Sequence, residues 1–420
     1  MTKAMPLALI GCLVAGMGYA CSRVAFRNTA TETNLRQPAT ALETQYGGVV
    51  AKAEDDAGVD PPVPGCGTSG CGTNGPWLGD NIRFQTLHLS PDKENEAHLS
   101  ILDFRDSEGN PLTIDVQRDQ LMGIRQATHQ VLTGPDLAGA QLLLGHPGAK
   151  SAHGAMTYVL TLEKVSYAEY WARCRGCDDA KNQFPVYEFS VSGNNGPNTK
   201  LCAPTPGKHT PTVIEDSDGG DAVNLYGDAV IFRGDFYDDK THTVSTTVTP
   251  DNADLFNITC FGTAISKLHL LRHTSASQVN PEDRQNPTVE DRQTMLRLLT
   301  ADYCGNGSSF TEERMPLKLA FNSRIYSLWD SAKYSMNDAG SMEALWTPDG
   351  AMCIGTPRLL RSSSPRWHDL TVDRIRQMCH AVGKKTDAPS PALEDCSKLN
   401  VDVRRNWFTN GNYAISGNPK

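Results

Sequence analysis

Beyond its first twenty residues the chain lacks any run of about 18 apolar residues, so no internal transmembrane helix is expected. Positive charge is scarce: 39 Lys and Arg stand against 48 Asp and Glu, a net charge of −9. That argues against a general nucleic-acid binder, which needs cations to displace counterions. The GxSxG serine elbow, the Walker phosphate loop and the zincin motif are all missing, which removes the commonest sequence signs of hydrolase and nucleotide chemistry. What remains is 420 residues, 39% of them hydrophobic, with 36 Gly, 25 Pro and 12 Cys. This is too long for one small domain and apolar enough to bury real cores, which excludes wholesale disorder.

The N-terminus has the layout of an export signal. Lys3 is the only charge in the first twenty residues, apolar or small residues run from Ala4 to Met17, and Gly18-Tyr19-Ala20 precedes Cys21. Cleavage after Ala20 is expected, giving a signal peptide over 1–20. With Cys21 next, the segment also reads as a bacterial lipoprotein signal whose cysteine receives the lipid. Leu9-Ile10-Gly11-Cys12 is a closer match to the usual lipoprotein box, but it leaves a short hydrophobic stretch after Lys3. Removing Cys12 and lipidating Cys21 leaves ten cysteines, an even number that in an exported chain reads as a disulfide framework. They are Cys66, Cys71, Cys174, Cys177, Cys202, Cys260, Cys304, Cys353, Cys379 and Cys396. Local spacing suggests pairs at Cys66/Cys71 and Cys174/Cys177, and groups Cys379 with Cys396 in the C-terminal segment. Cys202, Cys260, Cys304 and Cys353 then have three possible connectivities.

Composition divides the rest. Residues 21–75 read as a flexible Gly-, Pro- and Cys-containing tether. Its Gly65–Gly75 repeat contains the GxGxxG pattern twice. A Pro-rich stretch precedes it and Pro76-Trp77 follows, so a dinucleotide site is not expected. Residues 76–200 alternate short apolar runs with turn clusters: Ile82–Leu89, His98–Phe104, Tyr158–Leu162 and Val186–Val191. That spacing suggests an antiparallel sandwich or barrel-like unit, with Asp119–Leu132 left ambiguous and open to a helix. Residues 201–362 form a second unit. Asp228–Gly234 and Leu255–Cys260 read as strands. A helix opens at Thr288, carries Met295, Leu298, Leu299 and Tyr303 at helical spacing, and is expected to stop at Gly305. Trp346–Gly350 reads as a turn between two strands. Residues 363–420 hold one helix, capped by Thr371, striped by Val372, Ile375, Cys379 and Val382, and ended by Gly383. This last part is basic, with 11 Lys and Arg against 6 Asp and Glu from Gly355 on. Glu215–Leu255 carries 2 basic and 10 acidic residues.

Thr300-Ala-Asp-Tyr-Cys-Gly305 is the most specific string in the chain. Ala301, Asp302, Tyr303 and Cys304 resemble the motif that names the ADYC domain, a family of exported bacterial proteins, many of them myxobacterial, with no activity attached to it. Further pieces look similar in the same order: Leu201-Cys202, Ala229 through Gly234, Cys260 with Gly262-Thr-Ala-Ile265 and Lys267, Glu343–Trp346, and Asp349–Cys353. Related sequences tend to carry cysteine where this chain has Leu268 and Met295. The resemblance implies that one bridge has been lost here and its space filled by apolar side chains.

Asp302 sits at a helix C-terminus, where a carboxylate opposes the dipole and needs a partner, and Arg297 looks awkwardly placed to be one. The structural expectation is a junction in which Asp302 accepts backbone N–H bonds, Tyr303 packs and Cys304 crosslinks. Cys174-Arg-Gly-Cys177 has redox spacing, but its all-β setting favours a plain disulfide. His269 and His273 stand four apart without a following glutamate, so lone surface histidines are expected. Asp216, Asp218 and Asp221 resemble part of a calcium loop without its distal Glu, and are weak metal candidates. The expectation is therefore a β-rich α+β protein: an antiparallel sandwich or barrel-like unit followed by a disulfide-stapled β-rich domain with one main helix. Its expected role is a lipid-anchored structural or interaction protein of the cell envelope, at the outer membrane or cell surface. No cofactor and no catalytic residue is assigned, and an envelope protein or glycan is the expected partner. The alternatives are an exported hydrolytic or thiol-redox enzyme using Asp302 or Cys174/Cys177, and a calcium- or glycan-binding module.

Overall fold

A computed structural model describes residues 76–79, 82–146, 156–170, 183–193, 198–202, 228–238, 240–245, 253–261, 263–276, 287–311, 318–321, 342–361, 369–386, 393–398 and 414–417. The expected signal segment with Cys12, Cys21, the expected tether with Cys66 and Cys71, Cys174 and Cys177, and Asp216, Asp218 and Asp221 lie outside the described residues.

Among the described residues fifteen strands precede the first α-helix. They are β1 (Trp77–Gly79), β2 (Ile82–Arg83), β3 (Thr86–His88), β4 (Ser100–Arg105), β5 (Leu112–Gln117), β6 (Gln120–Arg125), β7 (Val131–Thr133), β8 (Gln141–His146), β9 (Met156–Glu169), β10 (Gln183–Gly193), β11 (Thr199–Lys200), β12 (Ala229–Arg233), β13 (Phe236–Asp238), β14 (Thr243–Ser245) and β15 (Leu255–Cys260). Then come α1 (Ala264–Leu270), α2 (Val289–Thr300), β16 (Lys318–Phe321), β17 (Met342–Thr347), β18 (Gly350–Ile354), α3 (Val372–Thr386), β19 (Glu394–Asp395) and β20 (Ala414–Gly417).

The main sheet is antiparallel, in the order β3-β15-β12-β10-β9-β8-β4, with β11 added to β10. It curls until its edge strands meet. Asn95 bridges them: its Nδ2 donates to Thr86 O at 2.6 Å and its Oδ1 accepts from Leu99 N at 2.8 Å. The result is a nearly closed barrel that shields two edges otherwise open to intermolecular pairing. The β5-β6-β7 meander closes over the inside, where Leu112, Ile114, Val116 and Leu121 join Leu160, Ile231 and Ile258 in one apolar core. That interior is filled by side chains. A void of about 10 Å³ remains, room for at most one water.

A bulge tunes the longest pair. β9 and β10 skip Glu163 between Lys164 and Leu162. Before the skip Tyr158, Leu160 and Leu162 face the barrel core; after it Val165 does, and Ala168 and Tyr170 turn to the opposite face. One inserted residue therefore lets a single strand serve two cores. β12 serves both as well. Ala229 and Ile231 enter the barrel core, while Val230 and Phe232 enter the second core, so the run reads as continuously apolar.

The second core lies on the outer face of the main sheet. It is covered by α1, α2 and a five-stranded sheet ordered β16-β20-β17-β18-β19. β18 and β19 pair in parallel and the other pairs are antiparallel. The C-terminal segment is integral to this layer, because β20 lies between β16 and β17. Strands from before and after residue 200 also share the main sheet: β10 pairs β12, and β3 pairs β15.

Several expectations are corrected. Asp119–Leu132 forms β6 and β7 rather than a helix; Arg118 and His129, both at positive φ, supply the turns at either end of β6. Ile82–Leu89 is two short strands separated by Phe84 and Gln85. α3 runs through Gly383 to Thr386, since a single glycine weakens a helix without ending it. Its start is as expected, with Arg374 N donating to Thr371 Oγ1 at 3.1 Å. The Thr347–Gly350 hairpin turn is also present.

Candidate functional site

The distinctive tetrapeptide sits where α2 ends. Thr288 opens this helix with a reciprocal box: its Oγ1 accepts from Asp291 N at 3.1 Å, and Asp291 Oδ2 accepts from Thr288 N at 3.0 Å. The stop is Ala301, at φ +51°, and not Gly305. Ala301 N donates to Leu298 O and Asp302 N to Arg297 O, which is the Schellman pattern. Alanine strains this conformation by about 1–2 kcal/mol. Its complete burial in the second core helps to hold it there.

Asp302 is 0% exposed and fully engaged. Its Oδ2 accepts from Arg297 Nη1 and, at 2.7 Å, from Gly307 N; its Oδ1 accepts from Asn306 N at 3.2 Å. His242 Nδ1 stands 3.6 Å away. Arg297 is therefore the helix-end partner after all: the helix stop turns the chain back and brings the carboxylate over the preceding turn. Burial opposes ionisation of Asp302, but His242, Arg297 and the Gly307 N–H together hold its pKa below the usual carboxylate value. Arg297 Nη1 also donates to Thr241 O at 2.6 Å, and Gln293 Nε2 to His242 O at 2.8 Å. The β13–β14 hairpin is thus stapled to α2. The loop after the motif must approach closely. A Cβ on Gly307 (φ +89°) would meet Lys240 O at 1.8 Å, and one on Gly305 (φ +68°) would meet Asp349 O at 1.8 Å.

Tyr303 points the other way. Its ring stacks on Trp346 at 5.0 Å, and its hydroxyl donates to Glu343 Oε1 at 2.6 Å. Arg358 clamps the same carboxylate, Nε to Oε1 at 2.7 Å and Nη2 to Oε2 at 2.8 Å. Its Nη2 also reaches Leu298 O at 2.8 Å, capping a carbonyl in the last turn of α2. Burial opposes the Glu343 charge, yet Arg358, Ser416 and Tyr303 keep its pKa below normal. Burial and the Glu343 charge push the Tyr303 phenol well above its usual value. A third buried pair, Asp235 with Arg292, joins the β12–β13 turn to α2, with Arg292 Nη2 donating to Asp235 Oδ1 at 2.9 Å.

Cys304, the last residue of the motif, bridges to Cys379 on α3. Cys353 pairs with Cys396, and Cys202 with Cys260. The expected grouping of Cys379 with Cys396 is overturned. Cys396 follows β19, which pairs alongside β18 and so brings it to Cys353. Cys202–Cys260 belongs to one of the three connectivities left open by spacing, but that one also paired Cys304 with Cys353, and these bond to Cys379 and Cys396 instead.

The two histidines expected at the surface are buried instead. His269 is 0% exposed and His273 1%, neither at the surface. α1 ends at Leu270, so the two do not share one helical face. His269 stacks on Phe232 and meets Thr274 Oγ1 at 3.0 Å and Tyr170 OH at 3.2 Å, while Tyr170 donates to Asp119 Oδ2. Burial lowers the His273 pKa to about 4. Leu268 and Met295 are both buried in the core where α1 packs on α2. Among the described residues no group of three His, Cys, Asp or Glu is placed to hold a metal ion.

The ADYC domain model matches residues 134–360, more than half of the chain. The chain belongs to the ADYC domain family. The match begins at the turn before β8 and ends before α3, so the motif's disulfide partner Cys379 and the strand β20 lie beyond it. No curated protein and no solved structure matches the chain. In this member the four motif residues have separable tasks. Ala301 stops the helix, Asp302 gathers the following loop and the β13–β14 hairpin, Tyr303 joins the helix to the second sheet, and Cys304 fastens α3.

Proposed function

We propose that this ADYC protein is an exported, lipid-anchored structural or interaction module of the cell envelope, at the outer membrane or cell surface, and that it is not an enzyme. The observation that carries the reading is the state of the motif. Asp302 and Tyr303 are both 0% exposed, and their polar atoms are committed to Arg297, Gly307, Asn306 and Glu343. A general acid must reach the proton it transfers, and both groups are buried with their polar atoms already paired. Three disulfides that close long loops suit an oxidising compartment. The apolar N-terminus ending at Cys21 supports delivery there and anchoring by a lipid. An envelope protein or a glycan is the proposed partner.

Peptide mapping and intact mass of the protein from its native envelope, with and without reduction, test this reading. A diacylglyceryl group on Cys21 and bridges resistant to mild reduction are expected. An unmodified N-terminus, or a Cys174/Cys177 pair that is free or easily reduced, would replace it with a soluble exported redox enzyme. An Asp302→Asn protein that keeps its fold and melting temperature but loses an envelope phenotype would defeat the non-catalytic assignment.

A further inference from the structure

Among the described residues one ladder of the main sheet is thin. There β9 and β10 share eleven register pairs and β12 and β15 share five, but β10 and β12 share a single pair, Tyr187↔Ala229. Tyr187 and Ala229 both face the barrel core. The next positions, Glu188 and Asp228, therefore lie opposite one another on the other face. Two carboxylates stand cross-strand where the ladder is thinnest.

Their surroundings differ. Glu188 is held by Lys200 at 2.5 Å and lies across from Lys164 on β9. Asp228 is 8% exposed, and its carboxylate has no hydrogen-bond or ion-pair partner among the described residues. On the β15 side it meets backbone, its own carbonyl accepting from Phe261 N at 2.9 Å. Among the described residues the charged groups acting on it are Glu188, Lys200 and Lys164. Burial first, and the Glu188 charge second, raise its pKa to about 6 against the pull of the two lysines. The seam is also spanned covalently: Cys202, just after β11, is tied to Cys260, whose register partner is Ala229.

We propose that the β10–β12 seam is a proton-operated joint, in which a proton on Asp228 lets it lie beside Glu188 and the loss of that proton loosens β12 from β10. The proton leaves to solvent, and the Cys202–Cys260 bridge limits how far the strands part. Asp228 binds its proton more tightly in the closed sheet than in the open chain. The stabilisation is thus complete below the ordinary aspartate pKa and is lost as pH rises through about 6. The partner of this site is the proton itself, which would let an envelope protein sense the acidity outside the cell.

The test is a carboxyl-carbon NMR titration of Asp228 in the full oxidised chain, alongside thermal melting from pH 4.5 to 7.5. Asp228 should titrate near 6, and the closed-to-open ratio should fall on the order of tenfold to a hundredfold across that range. Asp228→Asn should remove the Asp228 contribution to the fall and raise the melting temperature at pH 7.5. Glu188→Gln should move the Asp228 midpoint downward. An ordinary aspartate midpoint overturns the joint. So does an Asp228→Asn protein with the wild-type pH profile. If Asp228→Asn does not fold, an unchanged midpoint in Glu188→Gln is the overturning result.

Discussion

The two cores of this protein are built on the same sheet and obey different rules. Around its residual void the barrel core is lined by aliphatic and aromatic side chains, from Phe104 and Leu142 to Ile231 and Ile258. The second core mixes apolar side chains with three buried ion pairs, Asp302–Arg297, Glu343–Arg358 and Asp235–Arg292, and the Cys304–Cys379 bridge crosses it. An apolar core tolerates small changes of shape, since it asks only for volume and pattern. A buried charge tolerates the loss of its partner poorly, because the remaining charge is left desolvated. The first region supplies bulk stability. The second holds a helix end, a hairpin, a second sheet and α3 in one arrangement.

Removing one charge gives the sharpest contrast. Arg358→Ala should cost about 3–5 kcal/mol in denaturant unfolding, because Glu343 would stay buried without its clamp and Leu298 O would lose one of its two donors. The double change Arg358→Met with Glu343→Leu should recover most of that loss. A double variant as unstable as the single would mean that the pair stabilises in its own right, and the comparison would fail. Next in size is the bridge: Cys304→Ser with Cys379→Ser should cost about 2–4 kcal/mol by freeing α3 from the motif.

Acid provides a reading without mutation. Asp302 and Glu343 both titrate below their usual values, so their stabilisation is present above the ordinary carboxylate range and is lost as pH falls through and below it. The Asp228 seam has the opposite sign and weakens as pH rises through about 6. Melting temperature should therefore be highest between the two windows, near pH 5. A melting temperature that keeps rising up to pH 8 would contradict the seam. One that stays flat down to pH 2.5 would contradict the buried pairs.

What the sequence made legible follows from how local each signal is. Thr288 and Thr371 mark helix starts because a cap acts on residues two or three positions away. The short strands of the barrel are visible because alternation is local too. Helix ends were less visible: Ala301, a residue with no preference for positive φ, stops α2, and Gly383 does not stop α3. The Cys379 pairing was hidden for another reason. It depends on packing α3 against a motif 75 residues earlier, and sequence proximity pointed to Cys396 instead. Of the candidate site, Asp302 and Tyr303 announced themselves by their motif, and Glu343 stood in a matching segment without a role. Arg358 carried no signal, since nothing in its neighbourhood shows that it will clamp a carboxylate 15 residues away.

The smallest expected effect tests the tolerant side of the comparison. Ile231 enters the barrel from β12, beside the residual void and among Phe104, Leu142 and Phe256. Ile231→Val deletes one methylene and should cost about 0.5–1.5 kcal/mol, with no change in the acid profile. The side chains around that void are all apolar, so the deletion leaves no charge or hydrogen-bonding group facing it unpaired, and rotamer shifts can partly close the gap. The outcome that matters is the ratio to Arg358→Ala. If losing a methylene here costs as much as losing the guanidinium there, the barrel is packed as exactingly as the motif junction. Both cores would then enforce a single arrangement, and the division of labour between bulk stability and specific placement would not hold.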